Sequence, residues 1–273
     1  MRNLFAANFY RLRRSRAFWL ALAATLAYTG LIVLVCWDQY AGGTGRYTLE
    51  SILTAGFGLM GYLTVPPLIL APLLAVYLGT ENSEHTVRNK LVTGHMRTGV
   101  YLSELLLCAL TALAFDILFM LLAGILCAWP VMQMSGMLLR VPVAQMWAWI
   151  ATALLARTAY ASVIKLVSVV LNRKTSAAIA ALLLAAAAML VCRIGFGAIH
   201  SLEYALSAGQ PVVNGESRLA FWRLMMDLLP TGQYLQVSRL DTPNLWRMPL
   251  MSLAVIAGSS GVGLAVFCRK NLN

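Results

Sequence analysis

VYLSELLLCALTALAFDILFMLLAGILCAW, residues 100–129, holds two formal charges, Glu104 and Asp116, in thirty positions. Wound as a helix at 1.5 Å per residue it is about 45 Å long. A bilayer's hydrocarbon layer is about 30 Å thick and needs about 20 apolar residues to cross. The stretch therefore spans a membrane, with length left to tilt, bend or project past it. Further apolar stretches lie at 17–37, 56–79, 142–171, 176–199 and 249–268. Composition agrees: of 273 residues 60% are hydrophobic and 11% charged, and the mean hydropathy is +0.75. These values exclude a single water-soluble core. The fold expected is all-α, a polytopic membrane protein with six transmembrane helices.

The net charge of +11 would suggest nucleic acid in a soluble protein. Here the distribution gives another reading, and no nucleic-acid partner is expected. With six spans, the side holding both termini carries twelve basic residues: the five arginines of the N-terminal segment, Arg88, Lys90, Arg97, Arg173, Lys174, Arg269 and Lys270. The other side carries six, and its 200–248 loop also holds Glu203, Glu216, Asp227 and Asp241. The positive-inside rule then places both termini in the cytoplasm of a multi-pass cell-membrane protein, with anionic lipid as a neighbour. No small-residue cleavage pattern follows the first apolar stretch, which reads as an uncleaved span. Residues 1–16 place Leu4, Phe5, Phe9 and Leu12 opposite Arg2, Arg11 and Arg13, the pattern of an interfacial helix. The alternative is a basic flank that only sets topology. The 200–248 loop is expected to be extracytoplasmic, its Phe221, Trp222, Leu224, Met225, Leu228 and Leu229 dipping into the membrane interface as short helices.

Catalytic motifs are missing. There is no GxxxxGK[ST], HExxH, GxSxG or EF-hand loop. His85, His95 and His200 are dispersed, and the five cysteines form neither CxxC nor a Cys/His cluster. The reading is a non-enzyme with no metal or cofactor of its own.

The most polar segment on the cytoplasmic side is 80–99. Asn82 or Ser83 can cap a short helix there, with Glu81 and Glu84 at its positive end, Arg88 and Lys90 later, and Gly94 as the stop. Val87, Leu91 and Val92 give it one apolar stripe. It reads equally as a docking helix or as a solvated loop that fixes topology.

ENSEHTVRNKLVTGHMRTGVYLSE, residues 81–104, resembles the signature between the second and third spans of ATP-binding-cassette type-2 permeases. That pattern is approximately E-x-x-x-G-T-[IV]-R-N-K-L-[IV]-x-G-x-x-R-x-x-[IV]-Y-L-S. Glu81, Thr86, Val87, Arg88, Asn89, Lys90, Leu91, Val92, Gly94, Arg97, Tyr101, Leu102 and Ser103 match by position, and His85 replaces the usual glycine. The lead into the first span, LLPTGQ (228–233) and the basic C-terminal end are also similar to that family. The resemblance implies a single permease domain over 1–273, dimeric with a second copy or a paralogue. It also implies a separate ATPase subunit that binds ATP and magnesium. In such transporters the segment between spans two and three is a coupling helix that rests on the ATPase. By analogy Glu84, Thr86, Arg88, Asn89, Lys90 and Arg97 make that contact.

Charges inside spans cost about 2.5–3.5 kcal/mol each on insertion scales, so they normally find partners or water. Glu104 and Asp116 lie about 8 and 26 Å along the third span from residue 99, and Lys165 and Arg157 about 11 and 23 Å along the returning fourth span from residue 172. Matching depths pair Glu104 with Lys165 and Asp116 with Arg157, while Arg193 on the fifth span competes for Asp116. The Ala-rich fifth span and the glycines of the sixth are suited to close packing. Gly56, Gly58 and Gly61 with Pro66 and Pro67 suggest a movable second span. The reading as a whole is an exporter permease for an amphipathic or small substrate. Its rivals are an intramembrane enzyme and a membrane sensor or assembly protein without transport.

Overall fold

A computed structural model describes residues 2–43, 48–54, 65–83, 86–135, 142–171, 173–209 and 213–269. Among these residues the regular elements are all helices: α1 (Arg2–Arg14), α2 (Arg16–Ala41), α3 (Leu49–Thr54), α4 (Val65–Ser83), α5 (Thr86–Val92), α6 (Arg97–Ser135), α7 (Val143–Val170), α8 (Lys174–Ser207), α9 (Gly215–Leu228), α10 (Pro230–Ser238) and α11 (Arg247–Arg269). Five are long and apolar enough to cross a membrane, namely α2, α6, α7, α8 and α11. The second expected span gives a shorter apolar helix, Leu68–Glu81, within α4. Gly56, Gly58 and Gly61 lie outside the described residues, and Pro72 sits inside the helix.

This short helix is central. Leu70, Ala71, Leu73, Leu74, Ala75, Tyr77 and Leu78 are all buried, and α4 packs against α8, α7 and α2. A helix apolar on every side is stable only where neighbours enclose it. The fifth span supplies one neighbour: Ala177, Ala181 and Ala185 of α8, at i+4 spacing, are buried in the same core as α4. Small side chains there let the two backbones approach. At Gly79 they nearly touch, since a Cβ on that residue would lie 2.5 Å from the Lys174 Cα.

Helix boundaries follow local chemistry. Ser15 separates α1 from α2; its Oγ accepts from the Phe18 amide at 3.2 Å and donates to the Leu12 carbonyl at 2.7 Å, capping the first span. Gly94, at φ +87°, ends the turn after α5 in a backbone region that favours glycine. Pro230 opens α10, where its missing amide proton is no loss.

Two expected boundaries are corrected. Glu81 does not open the short cytoplasmic helix, nor do Asn82 and Ser83 cap it; all three belong to the end of α4, and α5 starts at Thr86. The fifth span continues to Ser207 instead of ending at 199. Much of 200–248 is helical, and every residue of α10 is buried against α7, α8 and α9. On α1, Leu4 and Leu12 are buried while Phe9 is exposed.

Candidate functional site

Five ionisable side chains form a ladder from the surface beside α5 into the bundle. Arg11 of α1 donates to Glu81 of α4 at 2.9 Å. Lys90 of α5 also donates to Glu81 and reaches Glu104 of α6 at 3.1 Å. Lys165 of α7 donates to the other oxygen of Glu104. Accessibility of its three bases falls inward, from 40% for Arg11 to 11% for Lys90 and 1% for Lys165. Buried charges hold their ionised form only when paired and hydrogen-bonded, and each carboxylate here faces two cations. Tyr101 and Phe267 complete the inner end, with ring centres 5.3 and 6.0 Å from Lys165 Nζ, distances at which a ring face attracts a cation.

The ladder depends on how α4 ends. Glu81 lies in its last turn, where its side chain meets both α1 and α5. Thr86 reinforces the junction, its hydroxyl donating to the Glu81 carbonyl at 2.8 Å. Tyr77, one turn earlier, donates to the Asn8 carbonyl at 3.1 Å and ties α1 to the same helix. One short helix, α5, is thereby joined by side chains to the central helix and, through Glu104, to two spans.

A second pair lies deeper. Arg157 grips Asp116 with Nε to Oδ2 at 2.7 Å and Nη2 to Oδ1 at 2.5 Å, the two-pronged geometry that suits a guanidinium to a carboxylate. Tyr234 of α10 covers Arg157, its ring centre 4.8 Å from the guanidinium carbon. A void of about 20 Å³ beside the pair has room for one water. Arg193 is exposed on α8, and Asp116 is engaged by Arg157.

Of the other residues singled out in 80–99, Asn89 is exposed. Arg97 starts α6, and its Nη1 donates to the Cys268 carbonyl at 2.7 Å; it is not part of α5. Glu84 and the side chain of Arg88 lie outside what the structure describes. Sequence reasoning missed Arg11 and Glu81 as ladder members and Lys90 as the second partner of Glu104. It also placed Val92 in one apolar stripe with Val87 and Leu91, whereas Val87 is buried and Val92, like Met96, faces outward, 78% and 79% exposed. The signal was present in part, because Glu81 opens the matched motif.

The far end of the bundle uses neutral groups. Gln233 of α10 donates to the carbonyls of Asp227 at 2.5 Å and Met248 at 3.1 Å, and accepts from Ser252 at 2.7 Å. Gln236 donates to Asp227 Oδ1 at 3.3 Å. A Cβ on Gly232 would collide with the Met226 carbonyl, so glycine in LLPTGQ allows α10 to press against α9. Burial raises the Asp227 carboxyl above its ordinary 3.8, opposed by the Gln236 hydrogen bond and by Arg247 and Arg223. Among the described residues no group of three His, Cys, Asp or Glu could hold a metal ion.

No curated protein matches the chain. The family model described as ABC-2 family transporter protein matches residues 4–209, which contain the whole ladder and the Asp116–Arg157 pair. The chain is a helical, multi-pass membrane protein that belongs to the ABC-2 transporter family.

Proposed function

We propose that this chain is the permease subunit of an ATP-driven exporter, that it works as a dimer, and that its α5 end docks on a separate cytoplasmic ATPase subunit. ATP and magnesium belong to that partner, and the cargo is a small or amphipathic molecule. Both termini face the cytoplasm, and the interface helix α1 lies along that membrane surface.

The observation that carries the reading is the division of labour around α5. Asn89, Val92 and Met96 face outward, while Thr86 and Lys90 face inward onto Glu81 and Glu104. An exposed apolar pair beside a polar helix suits a protein partner. Of the residues expected to touch the ATPase, Thr86 and Lys90 transmit the motion, and Asn89 belongs to the contact. When the partner closes, displacement of α5 moves Glu81 on α4 and Glu104 on α6 together. Glu104 carries Lys165 on α7 with it. Spans that meet inside the bundle shift as a set, which is what alternating access requires.

The test is co-purification from the native membrane. Val92→Glu/Met96→Glu is expected to lose the ATPase subunit while folding normally. Lys90→Met is expected to keep the subunit but to uncouple its hydrolysis from transport by tenfold or more. Absence of any ATPase from the wild-type preparation would overturn the reading and favour a sensor or assembly protein.

A further inference from the structure

On the face formed by α6, α7 and α11 lies a groove of about 600 Å³, well inside the roughly 300–1,000 Å³ usual for small-ligand sites. Its walls include Leu102, Leu106 and Ala109 of α6, Thr158 of α7 and Ile256 of α11, with Phe5 of α1 also lining it. Leu102 and Leu106 are exposed there. The adjacent Leu4 packs with Val87, Val100 and Phe267, which puts Phe5 at the end nearest α5.

Depth and chemistry both limit the occupant. Along α6, Leu102 and Ala109 lie about 8 and 18 Å from Arg97, and along α11 Ile256 lies about 20 Å from Arg269. The groove therefore covers about one leaflet of a 30 Å hydrocarbon layer. Three hydroxyls border it, but each donates to a carbonyl of its own helix: Ser103 to Val100 at 2.9 Å, Thr158 to Leu155 at 2.7 Å and Ser162 to Ala159 at 2.7 Å. The lining is satisfied without help from a ligand, which suits hydrocarbon and not a polar solute. Two basic residues lie beyond the lining, at the start of α6 and the end of α11. Arg97 binds the Cys268 carbonyl, so the start of α6 is held against the end of α11, where Arg269 is exposed. Basic side chains at the membrane surface attract anionic headgroups.

We propose that this groove is a binding site for an anionic phospholipid, with one acyl chain along Leu102, Leu106 and Ala109 and the phosphate at Arg97 and Arg269. The proposal rests on the membrane setting of the spans and is independent of any ATPase contact.

Native mass spectrometry of the full chain, titrated with equimolar phosphatidylglycerol and phosphatidylcholine of identical chains, tests it. The wild type should retain phosphatidylglycerol at least fivefold better. Arg269→Gln should lower phosphatidylglycerol retention severalfold and phosphatidylcholine retention less, so that the preference narrows. Ala109→Phe, which fills the groove, should remove the bound lipid; Leu106→Trp, on the exposed rim, provides the same test if the first variant folds poorly. Equal retention of the two lipids by the wild type, or undiminished phosphatidylglycerol on the filled groove, would overturn the site. So would a change of oligomeric state on filling it, which would assign this face to a second copy of the chain.

Discussion

The two ends of the bundle are joined by different chemistry. At the α5 end, five charged side chains from five helices are linked in series; at the α10 end, amides, hydroxyls and backbone carbonyls do the joining around one buried carboxyl. An ion pair acts over distance and tolerates changes of angle, whereas a neutral amide held between two carbonyls loses its bonds with a small shift. The charged end is suited to motion that keeps helices coupled. The neutral end is suited to holding α9, α10 and α11 in one arrangement.

The sharpest way to break this contrast is at Glu104. Glu104→Ala leaves Lys165 buried beside only aromatic rings and is expected to cost about 3–5 kcal/mol, read as a large fall in thermal unfolding temperature in detergent. At the other end, Gln233→Leu strands the Ser252 hydroxyl and the Asp227 and Met248 carbonyls and should cost about 1–3 kcal/mol. If Gln233→Leu were as damaging as Glu104→Ala, the neutral network would be as essential to stability as the charged one.

Asp227 gives a smaller effect with a defined sign. Its carboxyl is raised in the folded state above 3.8, so between that value and the raised one the native protein binds more protons than the unfolded chain. Stability then falls as pH rises through this window. Comparing the wild type with Asp227→Asn isolates the slope, which should vanish in the variant. Smallest of all is Glu203→Gln. It removes the half-exposed contact with Arg223 at 2.7 Å and should change stability by about 0–1 kcal/mol.

Depth was legible in the sequence, and rotation was not. The rise per residue along two antiparallel neighbours predicted which acid meets which base, and the structure brings Glu104 to Lys165 and Asp116 to Arg157. Lys90 meets Glu104 too, but across a helix break and a turn, where linear spacing carries no angle. The length rule recognised α2, α6, α7, α8 and α11 because each is long and apolar. Of the second expected span only the part from residue 65 onward is described, and it forms the buried helix α4. Exposed Val92 and Met96 look like ordinary apolar residues in sequence, and only the packing of α5 through Val87 shows that they face outward. The buried α10 was hidden by its composition, because Thr231, Gln233, Gln236 and Ser238 find partners or cover inside the fold.

The close approach of Gly79 to Lys174 has a mechanical consequence. Lys174 is the first residue of α8, and Ala177, Ala181 and Ala185 continue the same seam along the following turns. The start of α8 is therefore fixed to the end of α4, and any side chain larger than hydrogen at Gly79 would have to push the two helices apart.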